Sequence, residues 1–301
     1  MIADKTNKSV KNHKGLLWWL SPSVATFIYT VFLKPQILRI LAQKIICLFI
    51  PEEINIKGAR ISLNKSDAIV SGNLAMGCYE TFNLDLFEAQ LKPGICVFDV
   101  GANIGVYSAI AAMKVGKTGL VVAVEPDKVN CSFIKKTSLS NGFEQVVIYQ
   151  KAAGDECGLG NLYICDTNKA DHRLYDNLKK RSNVQIEITT LDAIFEKLAF
   201  KCVDVMKIDT QGFEYSVFRG MKKIIEASPK IKIFMEFWPW GLIQAGESPL
   251  GLLNEIKKEG FVISEIEQDT KQIKEVLNLS DITKKTLERE HTDLFLEKVT
   301  K

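Results

Sequence analysis

From residue 94 onward the chain alternates short apolar runs with longer amphipathic stretches. The apolar runs at 95–100, 120–124, 146–150, 203–208, 231–237, 261–266 and 294–298 predict seven strands. Helical spacing over 106–115, 129–141, 215–227 and 250–259 predicts helices between them. Strands that read as unbroken apolar runs, separated by helices, predict a mostly parallel sheet covered on both faces. Residues 155–192 interrupt this rhythm: 161–165 and 185–190 read as extra strands around a polar loop, an insertion into the α/β pattern.

The first ninety residues follow a different plan. Residues 15–33 carry no charge and are flanked by Lys14 and Lys34; as a helix they would span about 28 Å. Residues 37–49 repeat Leu38, Leu41, Ile45 and Leu48 at helical spacing, and Pro51 ends the run. The period then changes to two, with Ile54, Ile56, Ala59, Ile61 and Leu63 flanking Lys57-Gly58, the pattern of a hairpin. A helix over 81–91 leads into the turn Lys92-Pro93-Gly94. Three segments are expected: a helical extension over 1–53, a hairpin-and-helix preface over 54–93, and the main domain over 94–301.

Composition narrows the function. With 39 basic and 36 acidic residues in 301, the net charge of +3 builds no field for a polyanion, and no nucleic-acid partner is expected. Seven cysteines without a C-x-x-C pair fit neither a disulfide framework nor a zinc site, and suit a reducing, cytoplasmic setting. Three histidines at 13, 172 and 291 make no zinc-hydrolase motif. The run 15–33 reads three ways: a membrane span, a segment lying in the interface with Trp18 and Trp19 at headgroup level, or a helix covering the next domain. The second reading would put residues 15–49 on the inner face of a membrane.

The first core strand ends in Asp99-Val100-Gly101-Ala102-Asn103-Ile104-Gly105. This G-x-x-x-G turn differs from the G-x-G-x-x-G of dinucleotide enzymes. Gly101 and Gly105 let backbone approach a ligand, Asn103 lies within the same turn, and Asp99 can reach an ammonium. The N–H groups that open the next helix suit a carboxylate. Twenty residues after Gly105, Glu125 ends the second strand, where a carboxylate accepts hydrogen bonds from a ribose diol. The amino-acid and ribose parts of S-adenosylmethionine fit that socket.

With these motifs the sequence resembles the FkbM-type family of S-adenosylmethionine-dependent methyltransferases. The residues that carry the likeness are VFDVGANIGVYS (97–108), VAVEPD (122–127), KIDTQGFE (207–214) and MEFWPWGL (235–242). The resemblance implies a class I, Rossmann-like methyltransferase fold with strand order 3-2-1-4-5-7-6, six strands parallel and one antiparallel. It also implies O-methylation of hydroxyls on glycans, lipid-linked saccharides or secondary metabolites.

Moving a methyl group to an alcohol calls for an aligned oxygen and a place for its proton. Asp209 and Glu236 end the fourth and fifth core strands and should face the cleft. Asp209 is either the general base or a support for the donor's methyl end. Alternatively the two carboxylates share a divalent cation; with only two hard ligands in view, no metal is expected. His172, in the insertion, is the residue type best suited to act as base near neutral pH, and the resemblance places its loop near the acceptor. Arg173 could pair with an acidic acceptor, Asp155 could meet the adenine amino group, and Trp238 and Trp240 could wall a sugar ring. Glu214 falls in a first helical turn, where a structural role suits it.

Overall fold

The computed structural model describes residues 36–165, 168–176, 180–285 and 291–299. The apolar run 15–33 lies outside the described residues. Among those described, no helix is long and apolar enough to cross a membrane.

The preface begins with the helix Gln36–Phe49 and a two-stranded hairpin, β1 (Glu53–Ile56) and β2 (Ala59–Ser62). Lys57 and Gly58 both take positive φ, 50° and 89°, which gives the hairpin a turn that matches strand twist. Helices Val70–Met76 and Thr81–Gln90 follow. The first was not expected, because its seven residues are too short to show a period.

The central sheet is built from β3 (Cys96–Val100), β4 (Leu120–Val124) and β5 (Val146–Tyr149). A small three-stranded sheet then forms from β6 (Ala152–Ala153), β7 (Gly158–Tyr163) and β8 (Asn183–Thr189), in the order β6-β8-β7. The central sheet resumes with β9 (Val205–Ile208), β10 (Lys232–Phe237), β11 (Phe261–Glu267), β12 (Gln272–Glu275) and β13 (Thr292–Lys298). Its order is β12-β11-β13-β10-β9-β3-β4-β5. In the order of the seven expected strands this is 3-2-1-4-5-7-6, with β13 antiparallel to both neighbours. The count of seven needs correction to eight. β12 turns back antiparallel onto β11, and all four of its residues are exposed, so no buried apolar run marked it.

The helix expected over 215–227 is two helices, Glu214–Arg219 and Lys222–Ala227. The break falls at Gly220, where a Cβ would lie 2.0 Å from the Gly154 carbonyl oxygen. A close approach to the small sheet overrides the helical period. Elsewhere side-chain caps set the helix starts: Asp127, Thr190 and Ser248 each accept a backbone N–H of the first turn.

Buried side chains on both sides of the 92–94 turn share one cluster. Ile61, Leu74 and Phe87 of the preface join Val97, Ile110 and Val121 of the main domain. Phe87 packs edge-on to Tyr107 and Phe234, with ring centroids 4.9 Å and 5.5 Å away. This contact carries the preface to the open ends of the parallel strands, where ligands bind in such sheets. None of the seven cysteines is in a disulfide.

Candidate active site

Beyond the C-terminal ends of β3, β4, β9 and β10 lies a cleft of about 500 Å³. It has a donor half around the glycine turn and a second half around β9, β10 and the preface.

In the donor half, Gly101, Asn103 and Gly105 all have positive φ, at 76°, 51° and 87°. A Cβ on Gly101 would sit 1.8 Å from the Asp209 carbonyl oxygen, so the turn backs directly onto the end of β9. Glu125 organises this turn: one carboxylate oxygen accepts the Asn103 N–H at 2.8 Å, and the other accepts the Asp127 N–H at 2.9 Å. Asp99 accepts the Ser108 hydroxyl at 2.6 Å. Both carboxylates are buried. Burial pushes Asp99 up to about 6 and Glu125 up to about 7, against the pull of those hydrogen bonds. A buried carboxylate raised in this way is suited to an incoming cation, and the ammonium of an amino-acid ligand would meet Asp99. A ribose diol would find the remaining lone pairs of Glu125. Gly105 precedes the helix Val106–Val115, whose first-turn N–H groups have no acceptor within the helix. Ala152 and Ala153 also line this half.

The second half is densely charged. Gln211, itself at φ 55°, donates its amide N–H to Asp209 Oδ1 and to Glu236 Oε2, each at 2.8 Å. One amide therefore joins the two carboxylates predicted to face the cleft. Burial, and then repulsion from Asp209, raises Glu236 well above the carboxylate range. Glu236 also lies 3.8 Å from His291 Nε2. Glu80 takes φ 34° and accepts the Tyr107 hydroxyl at 2.6 Å. Lys207 rises from β9 between Asp209 and Asp293. Among the described residues, no group of three or more His, Cys, Asp or Glu side chains has the arrangement to hold a metal ion.

The turn that carries Asp209 and Gln211 is shaped by Glu214. Its Oε1 accepts the N–H groups of Thr210 at 2.9 Å and Gly212 at 3.0 Å. Glu214 is fully buried, and burial raises it to about 7.

The insertion closes the cleft from the side. His172 lines it, but its Nδ1 accepts the Cys165 N–H at 3.2 Å, and burial lowers its pKa. Arg173 pairs with Asp171, and its guanidinium lies 4.6 Å from the Trp238 ring, 5.5 Å from Trp240 and 5.6 Å from Tyr175. Tyr175 donates its hydroxyl to the Gln211 carbonyl at 2.9 Å, stitching the insertion to the turn after β9. Trp238 lines the cleft, and Trp240 stacks behind it at 5.1 Å. Asp155 does not line the cleft. It accepts from Ser216 at 2.8 Å and pairs with Arg219; these contacts outweigh burial and lower its pKa. These contacts make Asp155 a brace between the small sheet and the helix Glu214–Arg219.

Sequence reasoning did not single out Lys207, Gln211, Glu80, Tyr107, Asp293 or His291. One signal was available. Lys207 is the charged residue in the otherwise apolar strand Val-Met-Lys-Ile, all four of whose residues are buried. A lysine at a fully buried strand position needs a reason.

The profile of the methyltransferase FkbM domain matches residues 99–263. This chain belongs to that family. The family's methyl donor is S-adenosylmethionine, and the Asp99–Glu125 half of the FkbM cleft has the chemistry to hold it. A segment of 52 residues is 46% identical to the ribosomal RNA large subunit methyltransferase E of Chromohalobacter salexigens, covering 17% of this chain and a quarter (25%) of that protein. Among solved structures, the FkbM methyltransferase of Methylobacillus flagellatus is 15% identical with a TM-score of 0.40, over 87% of this chain and 60% of that one. A SAM-dependent O-methyltransferase of Thermotoga maritima is 15% identical with a TM-score of 0.39, over 74% and 65% of the two chains. At these scores the overlays add nothing to the strand order already described.

Proposed function

We propose that the protein transfers the methyl group of S-adenosylmethionine to a hydroxyl oxygen of a glycan, a lipid-linked saccharide or a hydroxylated secondary metabolite. The observation that carries this reading is the Asp209–Gln211–Glu236 bridge, which opens into the same cleft as the donor socket. An alcohol oxygen must lose its proton as it is methylated. The two carboxylates, joined through Gln211 beside the donor socket, offer the proton acceptor that step needs.

When bound, S-adenosylmethionine supplies an electrophilic methyl group. Asp99, Glu125 and the 101–105 turn hold the donor's polar ends. Gln211 keeps Asp209 and Glu236 apart at one fixed geometry. Trp238, backed by Trp240 and Arg173, offers a flat face of the kind that packs on sugar rings. Asp209 with Glu236, joined through Gln211, is the proton acceptor in this reading, and His172 lines the same cleft.

The test is calorimetric titration with S-adenosylhomocysteine, followed by methyl-labelled donor and a panel of glycans, lipid-linked saccharides and polyols. One-to-one binding and label recovered as an alkali-stable ether are expected. Absence of binding by the folded protein, or label recovered only on nitrogen or as an alkali-labile ester, would overturn the proposal.

A further inference from the structure

The acceptor half of the cleft contains a cation that the Asp209–Glu236 pair does not account for. Lys207 is only 4% exposed, yet its side chain opens on the cleft. Its Nζ stands 4.0 Å from Asp209 Oδ2 and 3.9 Å from Asp293 Oδ1, with the Tyr107 ring centroid 5.4 Å away. These are charge–charge distances, beyond hydrogen-bond range. Among the described residues, no protein acceptor receives a hydrogen bond from this ammonium. Three N–H donors are thus held by a ring of carboxylates without being committed to any of them. Burying an ammonium is costly unless its donors are used.

We infer that Lys207 grips the reacting oxygen of the acceptor, and that its ammonium supplies the positive charge a divalent cation would otherwise supply among these carboxylates. The inference rests on the hydroxyl-methylation reading above and names the group that binds the hydroxyl. The acceptor O–H gives its proton to the Asp209–Glu236 pair. The oxygen lone pair forms the new O–C bond as the donor's C–S bond breaks, and that electron pair stays on sulfur. The sulfonium charge thus reappears as the proton on the carboxylate pair, and nothing is oxidised or reduced. Lys207 keeps its own proton throughout. Burial would strip that proton, but the surrounding carboxylates of Asp209, Asp293 and Glu80 outweigh burial and hold it on. A group so strongly protonated is a donor and not a base.

The ionisable groups facing this ammonium come from every wall. Tyr79 and Glu80 belong to the preface, Asp99 and Tyr107 to β3 and the helix after it, and Asp209, Glu236, Asp293 and His291 to the ends of β9, β10 and β13. Removing the one buried cation from this set makes each carboxylate harder to ionise. Lys207→Met is therefore expected to cut turnover on the acceptor found in the panel by about a hundredfold or more, while S-adenosylhomocysteine affinity stays within about twofold. Its acid limb of kcat/KM against pH should move up by about one pH unit, as the neighbouring carboxylates lose their cation. Wild-type protein titrated with Mn²⁺ and followed by electron paramagnetic resonance should show no site in the cleft, and full activity should survive dialysis against EDTA. Turnover retained by Lys207→Met, an unmoved acid limb, or a stoichiometric Mn²⁺ site in the wild type would each overturn the inference. Should Lys207→Met fail to fold, the wild-type Mn²⁺ titration still decides it. Failure of the wild type to bind S-adenosylhomocysteine would instead overturn the function proposed above.

A separate observation concerns the helix Gln36–Phe49. Ile46 and Cys47 pack inward against the preface core. The outer face leaves Leu41, Ile45, Leu48 and Phe49 exposed by 51%, 57%, 80% and 60%. Between residues 5 and 51 the sequence holds seven Lys or Arg and no Asp or Glu, around an uncharged run that includes Trp18 and Trp19. An apolar stripe in so basic a segment matches an anionic bilayer surface. We propose that this face docks on such a surface. Its neighbour, the helix Val70–Met76, borders the cleft through Val70 and Asn73, so docking would bring the cleft to lipid-anchored acceptors. The full chain should co-sediment with phosphatidylglycerol–phosphatidylcholine vesicles and not with phosphatidylcholine alone, and Ile45→Glu with Leu48→Glu should abolish pelleting. Wild-type protein left in the supernatant, a double variant that pellets equally well, or a wild-type dimer that this variant splits would overturn the proposal.

Discussion

The donor half and the acceptor half of the cleft are built in opposite ways. Asp99, Gly101, Asn103, Gly105 and Glu125 come from 27 consecutive residues, one strand–turn–helix–strand unit. Hydrogen bonds internal to that unit set its geometry: Glu125 holds the Asn103 and Asp127 N–H groups, and Ser108 holds Asp99. The acceptor half draws Glu80 from the preface, Tyr107 from a helix, Lys207, Asp209 and Gln211 from β9 and the turn after it, Glu236 from β10, Asp293 from β13 and Arg173 from the insertion. A local unit can be reused with any acceptor, whereas a surface assembled from six distant segments can change its specificity without disturbing the donor.

The sharpest way to break this comparison is to damage each half alone. Asp209→Asn should lower turnover by about a thousandfold or more and leave S-adenosylhomocysteine affinity nearly unchanged. Single-turnover kinetics beside calorimetry would check this, and a parallel loss of both would merge the two halves. Gly101→Ala should abolish donor binding. Its Cβ would collide with the Asp209 carbonyl at 1.8 Å, at a positive φ. Strain and displacement should cost about 1–3 kcal/mol of stability, and ligand-induced stabilisation should vanish in thermal melts.

A smaller effect separates the halves by charge. Asp99→Asn should weaken S-adenosylhomocysteine binding by about tenfold, through loss of the ammonium's partner. The pH dependence follows from the raised carboxylates. Asp99 at about 6, and Glu125 and Glu214 at about 7, hold protons more tightly folded than unfolded. Their contribution to stability is therefore full below the unfolded carboxylate range and is lost as pH rises through about 6 to 7. The ligand-free protein should melt at a higher temperature at pH 5.5 than at pH 7.5 on this account. Ligand affinity should move the other way, tightening as Asp99 ionises, and Asp99→Asn should flatten that dependence. The smallest effect is expected at Asp155, outside the cleft. Asp155→Ala should leave ligand affinity within about twofold and lower stability by about 1 kcal/mol, as a partly exposed brace is lost.

Legibility in the sequence followed the same division. Six parallel strands and their antiparallel partner stood out because each carries an apolar run, buried in all but the edge strand β5. β12 escaped because it buries nothing. The split helix at Gly220 was hidden because its cause, the Gly154 carbonyl, lies 66 residues away. Asp155 was expected in the cleft on the strength of following the third strand. Ser216 and Arg219, which claim its carboxylate, come from another element.

By itself the sequence determined the α/β alternation, the strand order its family resemblance implied, and the glycine turn with its two flanking carboxylates over 99–125. Those depend on period, on glycine stereochemistry and on hydrogen bonds between near neighbours. Only the tertiary structure decided which charges share the acceptor half. A Lys207 that would be prohibitively costly alone in a buried strand is stabilised there by carboxylates brought from Asp209, Asp293 and Glu80. Coulombic compensation of that kind depends on distance in space, and separation along the chain carries no record of it.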